Sequence, residues 1–182
     1  MKYNFGSHNK KKEGYVNVDA LILENVDIVH NLTVLPYPFA KPNSADEIVA
    51  VEFLEHISFK LTKRVLLEWY NILKVGGKLK MQVPDCGKAM EYYVNGQICT
   101  CVPHKDSTGK FEADLKCFNC GGKGIINPNR WLYSFTGAQK HEYDAHLNIF
   151  TKDRMIELLE SCKFRNIEFQ EDKYKIIVRC IK

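Results

Sequence analysis

Four cysteines, Cys99, Cys101, Cys117 and Cys120, form two close pairs separated by fifteen residues. Two such pairs joined by a loop suit a tetrahedral zinc site, because each pair supplies one edge of the tetrahedron. A closed four-thiolate site would be structural, with no open position for chemistry. The first pair is C-x-C, tighter than the common C-x-x-C, and His104 is a substitute ligand. The alternatives are a loop of reduced thiols or a redox pair at Cys117 and Cys120. A second group of residues follows the expected ends of strands. Gly6 lacks a Cβ and lets a ligand approach the backbone closely. The carboxylate of Asp19 can accept two hydrogen bonds from a ribose diol, and Asn31 can reach an adenine edge or a ribose. Each also has a plainer role as a turn or cap.

The elements that must position these residues are read from periodicity. Strands are expected at Lys2–Phe5, Tyr15–Val18, Val26–His30, Glu47–Val51 and Lys78–Val83. Between Lys60 and Lys74, Leu61, Val65, Leu66, Trp69, Ile72 and Leu73 line one helical face. Gly76-Gly77 is expected to stop that helix. A helix is also expected from Asp85, and another over 152–162, with Thr151 as N-cap and Phe150 and Met155 as a hydrophobic staple. Asn166–Gln170 and Tyr174–Ile181 read as a terminal antiparallel hairpin. Strands alternating with helices, closed by a hairpin, predict an α/β fold with a mostly parallel sheet. Positions 96–128 show no periodicity and read as a cysteine-rich insert in a single domain over 1–182.

Composition narrows the classes of function. At 182 residues, with 45% hydrophobic and 26% charged residues, the chain has the make-up of one soluble globular domain. No apolar run approaches the roughly 18 residues of a membrane helix, and the start does not read as a secretory signal. A cytoplasmic protein is expected, with no membrane partner. The net charge of +4 is mild, so nucleic acid is permitted as a partner without being implied. Seven cysteines without an export signal favour metal over disulfides, and Cys86, Cys162 and Cys180 read as small hydrophobes of the core.

Two stretches carry a more specific likeness. Asn4-Phe5-Gly6-Ser7-His8, Glu13-Gly14-Tyr15-Val16-Asn17-Val18-Asp19 and Val26-Asp27-Ile28-Val29-His30-Asn31-Leu32 open it, followed by Leu35-Pro36-Tyr37-Pro38-Phe39. Asp46-Glu47-Ile48-Val49-Ala50, Phe53-Leu54-Glu55-His56-Ile57, Leu73-Lys74-Val75-Gly76-Gly77-Lys78-Leu79 and Val83-Pro84-Asp85 continue it. These resemble compact predicted class I S-adenosylmethionine-dependent methyltransferases of the methyltransferase type 11 kind. The likeness is dense over 2–85 and resumes loosely over 144–169. It implies a Rossmann-like seven-stranded sheet with a C-terminal antiparallel hairpin, and S-adenosylmethionine as cofactor. It implies that Gly6, Ser7 and His8 face the methionine end, Asp19 the ribose, and Asn31 and Leu32 the adenine. Glu52 would line the cofactor and substrate cleft. The sequence differs at two of these positions: His8 stands where the family usually has glycine, and Asn31 where it usually has aspartate. Separately, Cys117-Phe118-Asn119-Cys120-Gly121-Gly122-Lys123-Gly124 resembles one repeat of the cysteine-rich module of J-domain chaperones.

Methyl transfer needs a nucleophile held in line with the methyl group, water kept out, and a base where the acceptor loses a proton. His56, His146 and Asp85 are the catalytic candidates, with Tyr143 also in reach of the role. His56 lies just past strand four, and histidine is the side chain whose unperturbed pKa is close to neutral. The expected function is therefore methyl transfer to an unidentified acceptor: a small molecule, sugar, protein or RNA. The alternative is a degenerate methyltransferase fold that uses a zinc-stabilised insert to contact protein or nucleic acid. A nicotinamide-binding protein is disfavoured, since no G-x-G-x-x-G follows the first strand.

Overall fold

The computed structural model describes residues 1–97, 99, 117, 120, 121, 123–140 and 142–182. Seven strands form one sheet: β1 (Lys2–Phe5), β2 (Val16–Asp19), β3 (Ile28–Val29), β4 (Ala45–Val51), β5 (Leu73–Pro84), β6 (Arg165–Gln170) and β7 (Lys175–Ile181). Their order is β3-β2-β1-β4-β5-β7-β6. The first five run parallel, while β7 inserts antiparallel between β5 and β6. Among the described residues four α-helices accompany them: α1 (Phe59–Ile72), α2 (Cys86–Asn95), α3 (Asn129–Thr136) and α4 (Lys152–Ser161). The α/β class, the mostly parallel sheet and the antiparallel C-terminal pair are as the sequence leads one to expect. None of the described helices is long and apolar enough to cross a membrane.

The core forms where the apolar faces meet. Helix α1 buries Val65, Leu66, Trp69 and Ile72, which recur at helical spacing and so share one face. Trp69 packs 5.5 Å from the ring of Phe5 on β1. Its indole N–H donates to the Tyr37 hydroxyl at 3.0 Å, which donates in turn to the Leu32 carbonyl at 2.9 Å. A large aromatic residue is thus buried with its polar atom satisfied. Cys86, Cys162 and Cys180 are buried, as expected of small hydrophobes.

Two local departures have simple causes. Helix α1 ends at Ile72, and Leu73 passes directly into β5. Gly76-Gly77 therefore lies inside a strand rather than ending the helix. There Gly76 takes φ +76° and the ladder to β4 shifts register between Ala45 and Glu47. A glycine at positive φ serves a bulge as readily as a helix end. Strand β3 is only two residues long. Just before it, the backbone N–H of Asn17 donates to the Asp27 carboxylate at 2.7 Å. A side chain thus takes a donor that a longer strand would have paired.

The region of the expected insert builds a small second core. Cys99 and Cys120 are buried there with Ala89, Ile126 and Trp131. Trp131 sits between Tyr92 of α2, at 5.0 Å, and Tyr174, at 5.3 Å. Helix α3, which carries Trp131, follows the expected insert and has no counterpart in the sequence reading.

Candidate functional site

Because β1, β2, β3, β4 and β5 are parallel, their carboxyl ends share one edge of the sheet. Strand order reverses between β1 and β4, which is where open α/β sheets form a ligand crevice. Gly6-Ser7-His8, Asp19, Asn31, Glu52 and Asp85 all fall at these ends, as the strand boundaries require.

At the end of β1 the chain turns sharply. Gly6 has φ +66°, and a Cβ there would sit 2.2 Å from the Phe53 ring. The close approach at Gly6 is thus made by Phe53. His8 has φ +42°, a left-handed conformation that suits glycine far better. The backbone shape at this position is the one glycine would favour, although the residue is histidine. The His8 backbone N–H donates to Asp19 Oδ2 at 2.8 Å, and that of Leu21 to Oδ1 at 3.0 Å. Each oxygen keeps a lone pair, so the carboxylate can still accept from a diol. The hydroxyl of Ser7 is buried without a hydrogen-bond partner, an orphaned polar atom of the kind a ligand can satisfy.

The adenine side is less uniform. Asn31 is exposed, and its carbonyl accepts from the Thr33 N–H at 3.0 Å and hydroxyl at 2.8 Å. That leaves its amide nitrogen to meet a base. Leu32 is only 3% exposed and belongs to the main core, so its side chain supports the loop rather than a ligand. The residues present therefore fit the ribose half of S-adenosylmethionine better than its adenine.

Past β4 lies a second constellation. Glu52 also adopts a left-handed φ, +52°. Its carboxylate accepts from Gln82 at 3.1 Å and from the Lys175 ammonium at 2.5 Å. Strained non-glycine residues of this kind gather at functional sites. A 3-10 turn, Leu54–His56, then presents Glu55 and His56. The backbone carbonyl of Glu55 accepts the N–H groups of Leu147, at 2.9 Å, and Asn148, at 3.1 Å. This pins the distant segment bearing His146 against the turn. The His56 and His146 rings meet edge to face, 5.0 Å apart. His56 Nδ1 donates to the Ala145 carbonyl and His146 Nδ1 to the Ser134 carbonyl, each at 3.1 Å. A carbonyl only accepts, so both rings carry a proton on Nδ1, and in a neutral ring the lone pair is then on Nε2. Burial holds the His146 pKa below its usual value, which keeps that lone pair available.

Glu55 is the most unusual group. It is 1% exposed, and neither carboxylate oxygen has a hydrogen-bond partner in another residue. Burial, with the nearby Glu52 carboxylate, pushes its pKa up to about 8. Asp85, by contrast, caps α2 by accepting the Lys88 N–H at 3.1 Å. The sequence offered Glu55 only as the neighbour of His56; nothing in its local pattern marks a carboxylate that will be buried alone.

Of the four expected zinc ligands, Cys99, Cys117 and Cys120 gather with their sulfurs within 4.8 Å of one another. Cys99 and Cys117 are 3.6 Å apart, close to the edge of about 3.8 Å that Zn–S bonds of about 2.3 Å impose. Turns support them: the Gly121 N–H donates to the Cys117 carbonyl at 2.7 Å, and that of Lys123 to the Cys120 carbonyl at 3.1 Å. Three thiols at this spacing fit a zinc ion. Cys101 and His104 lie outside the described residues.

No family model matches the chain, and no curated protein matches its sequence. Solved structures do match. The chain superposes on the Burkholderia thailandensis 1,6-didemethyltoxoflavin-N1-methyltransferase, solved with 1,6-didemethyltoxoflavin and S-adenosylhomocysteine, at TM-score 0.60 and 11% identity. The match covers all of this chain and 70% of that one. A Mesorhizobium loti S-adenosylmethionine-dependent methyltransferase matches at TM-score 0.54 and 12% identity, over 100% and 90% of the two chains. A Thermotoga maritima methyltransferase, described as a possible histamine N-methyltransferase, matches at 0.55 and 14%, over 100% and 82%. Several other matched chains are longer, and this chain spans 44–47% of them. At these identities the likeness is one of fold: the chain has the seven-stranded class I methyltransferase architecture.

Proposed function

We propose that this chain is an S-adenosylmethionine-dependent methyltransferase acting on an acceptor held at the carboxyl end of β4. The observation that carries this reading is the strand order β3-β2-β1-β4-β5-β7-β6, with Asp19 and two strained turns at its crevice. The cofactor supplies an activated methyl group on a sulfonium. Around it, Asp19 would accept from the ribose, Ser7 and the His8 turn would face the methionine end, and Asn31 would meet the adenine. Leu32 acts from behind, by shaping the loop. Phe53, packed on Gly6, would separate the cofactor from the acceptor and exclude water.

The acceptor would lie against His56 and His146, beside the turn after β4. Methyl transfer breaks the sulfur–carbon bond and joins that carbon to the acceptor, and either lone pair can take the proton an acceptor loses. Asp85, spent as a helix cap, is the weakest of the three catalytic candidates. We further read Cys99, Cys117 and Cys120, with Cys101 as fourth ligand, as a structural zinc site stiffening an insert over 96–128 within one domain. The chemical class of the acceptor is open among small molecules, sugars, proteins and RNA.

Calorimetric titration of the zinc-replete protein with S-adenosylhomocysteine tests this reading. Binding weakened about tenfold or more in Asp19→Asn supports it, since losing a hydrogen bond to a charged group costs about 1.5–3 kcal/mol. A folded protein that binds neither S-adenosylmethionine nor S-adenosylhomocysteine sinks it, and leaves a binding module on a methyltransferase fold.

A further inference from the structure

We propose that Glu55, His56 and His146 form a binding site for a single divalent transition-metal ion, distinct from the cysteine cluster. The candidate ligand atoms of the three side chains lie within 4.8 Å of one another. Bonds of about 2.1 Å to a common ion place neighbouring donors about 3.4 Å apart in a tetrahedron. The three groups therefore need to draw in by roughly an ångström, within reach of small side-chain rotations.

Three independent features point the same way. First, each imidazole donates its Nδ1 proton to a backbone carbonyl, at 3.1 Å in both cases. Metal-binding histidines are held in this manner, with the tautomer fixed and the other nitrogen left as the ligand. Second, the Glu55 carboxylate is 1% exposed and has no donor from another residue at either oxygen. A buried carboxylate must be compensated by a proton or a cation. A proton alone would leave the second oxygen without a partner. Were the acid instead part of a hydrogen-bonded acid–histidine pair, it would touch an imidazole, yet neither carboxylate oxygen has a hydrogen-bond partner. Third, the ammonium whose charge acts on Glu55 is already engaged: Lys175 holds Glu52 at 2.5 Å.

Two imidazoles and one carboxylate suit zinc, iron, cobalt or nickel better than calcium or magnesium. Three protein ligands leave open positions, so an ion here could take an oxygen or nitrogen donor of an acceptor and acidify it. In that case coordination would lower the acceptor's pKa so that its proton passes to solvent water, and the imidazoles would serve as ligands rather than as the base. This deepens the acceptor side of the methyl-transfer reading, but the metal site itself stands without it.

The test is titration of the chelator-treated full chain with Co²⁺, followed by equilibrium dialysis and absorption spectroscopy. Thiolate-bound cobalt gives an intense sulfur-to-metal charge-transfer band that nitrogen and oxygen ligands lack, so the two sites are read apart. The expected result is one equivalent bound without that band, retained in a Cys117→Ser/Cys120→Ser chain. Glu55→Gln and His146→Asn, each still unfolding cooperatively, should weaken that equivalent about 100-fold or more, at least as much as loss of an outer hydrogen-bond partner does. Absence of any cobalt bound without the thiolate band, or unchanged affinity in both variants, overturns the proposal. S-adenosylhomocysteine is titrated in parallel. Its binding without cobalt leaves methyl transfer standing and removes the metal; cobalt binding without it does the reverse.

Discussion

His8 shows how a single residue can keep a shape its side chain resists. At φ +42° an L-residue carries strain of about 1–2 kcal/mol, which glycine avoids at an entropic cost of about 0.5–1 kcal/mol. His8→Gly should therefore stabilise the protein by about 0.5–1 kcal/mol, read as a rise in thermal midpoint. The turn binds Asp19 through the backbone N–H, which glycine keeps. S-adenosylhomocysteine should thus bind the variant at least as tightly as the parent; clear loss of binding would show that the imidazole itself is needed. Glu55 is the contrasting case, because its importance comes wholly from surroundings that leave it without a partner.

Among the elements, the segment after α3 decides whether the site exists. Gly137 has φ +70°, and a Cβ there would lie 1.9 Å from the Asp144 carbonyl oxygen. Gly137 also bridges to Ala145, next to His146. Gly137→Ala should push this segment away and cost about 1–3 kcal/mol, a typical price for enforced backbone strain. It should weaken cobalt bound without the thiolate band while sparing S-adenosylhomocysteine, whose expected contacts come from β1, β2 and β3. Equal loss of both ligands would mean that the segment supports the whole crevice. Helix α1 and strand β1 were legible from spacing alone, because each repeats apolar residues at its own period. Helix α3 was not: it is short, and its one buried residue, Trp131, is held by Tyr92 and Tyr174 from elsewhere in the chain.

Across the whole molecule, surface carboxylates tie the sheet's segments together. Asp46 accepts from the chain's N-terminal ammonium and from Lys74 at 2.6 Å, and these bring its pKa down to about 2. The backbone and side-chain N–H groups of Asn17 likewise hold the Asp27 pKa below its usual value. Groups with depressed pKa values contribute stability that is full above the unfolded value of 3.8 and is lost as pH falls through the folded one. The thermal midpoint should thus drop between about pH 4 and pH 2, and Asp46→Asn and Asp27→Asn should each flatten the slope. A slope unchanged in both variants would assign acid unfolding to other groups.

The sequence by itself determined the parallel sheet, its closing hairpin and the helix α1, since alternation, helical spacing and turn residues are local. It also marked the strand-end residues Gly6, Asp19 and Asn31 and the pairing of cysteines. Only the tertiary structure decided that Phe53 fills the space over Gly6, that Leu32 belongs to the core and that Asp85 is a cap. It alone brought His146 to His56, across ninety positions of chain, and stranded Glu55 beside them. Burial and encounter between distant segments depend on how the whole chain closes, and no local pattern encodes them.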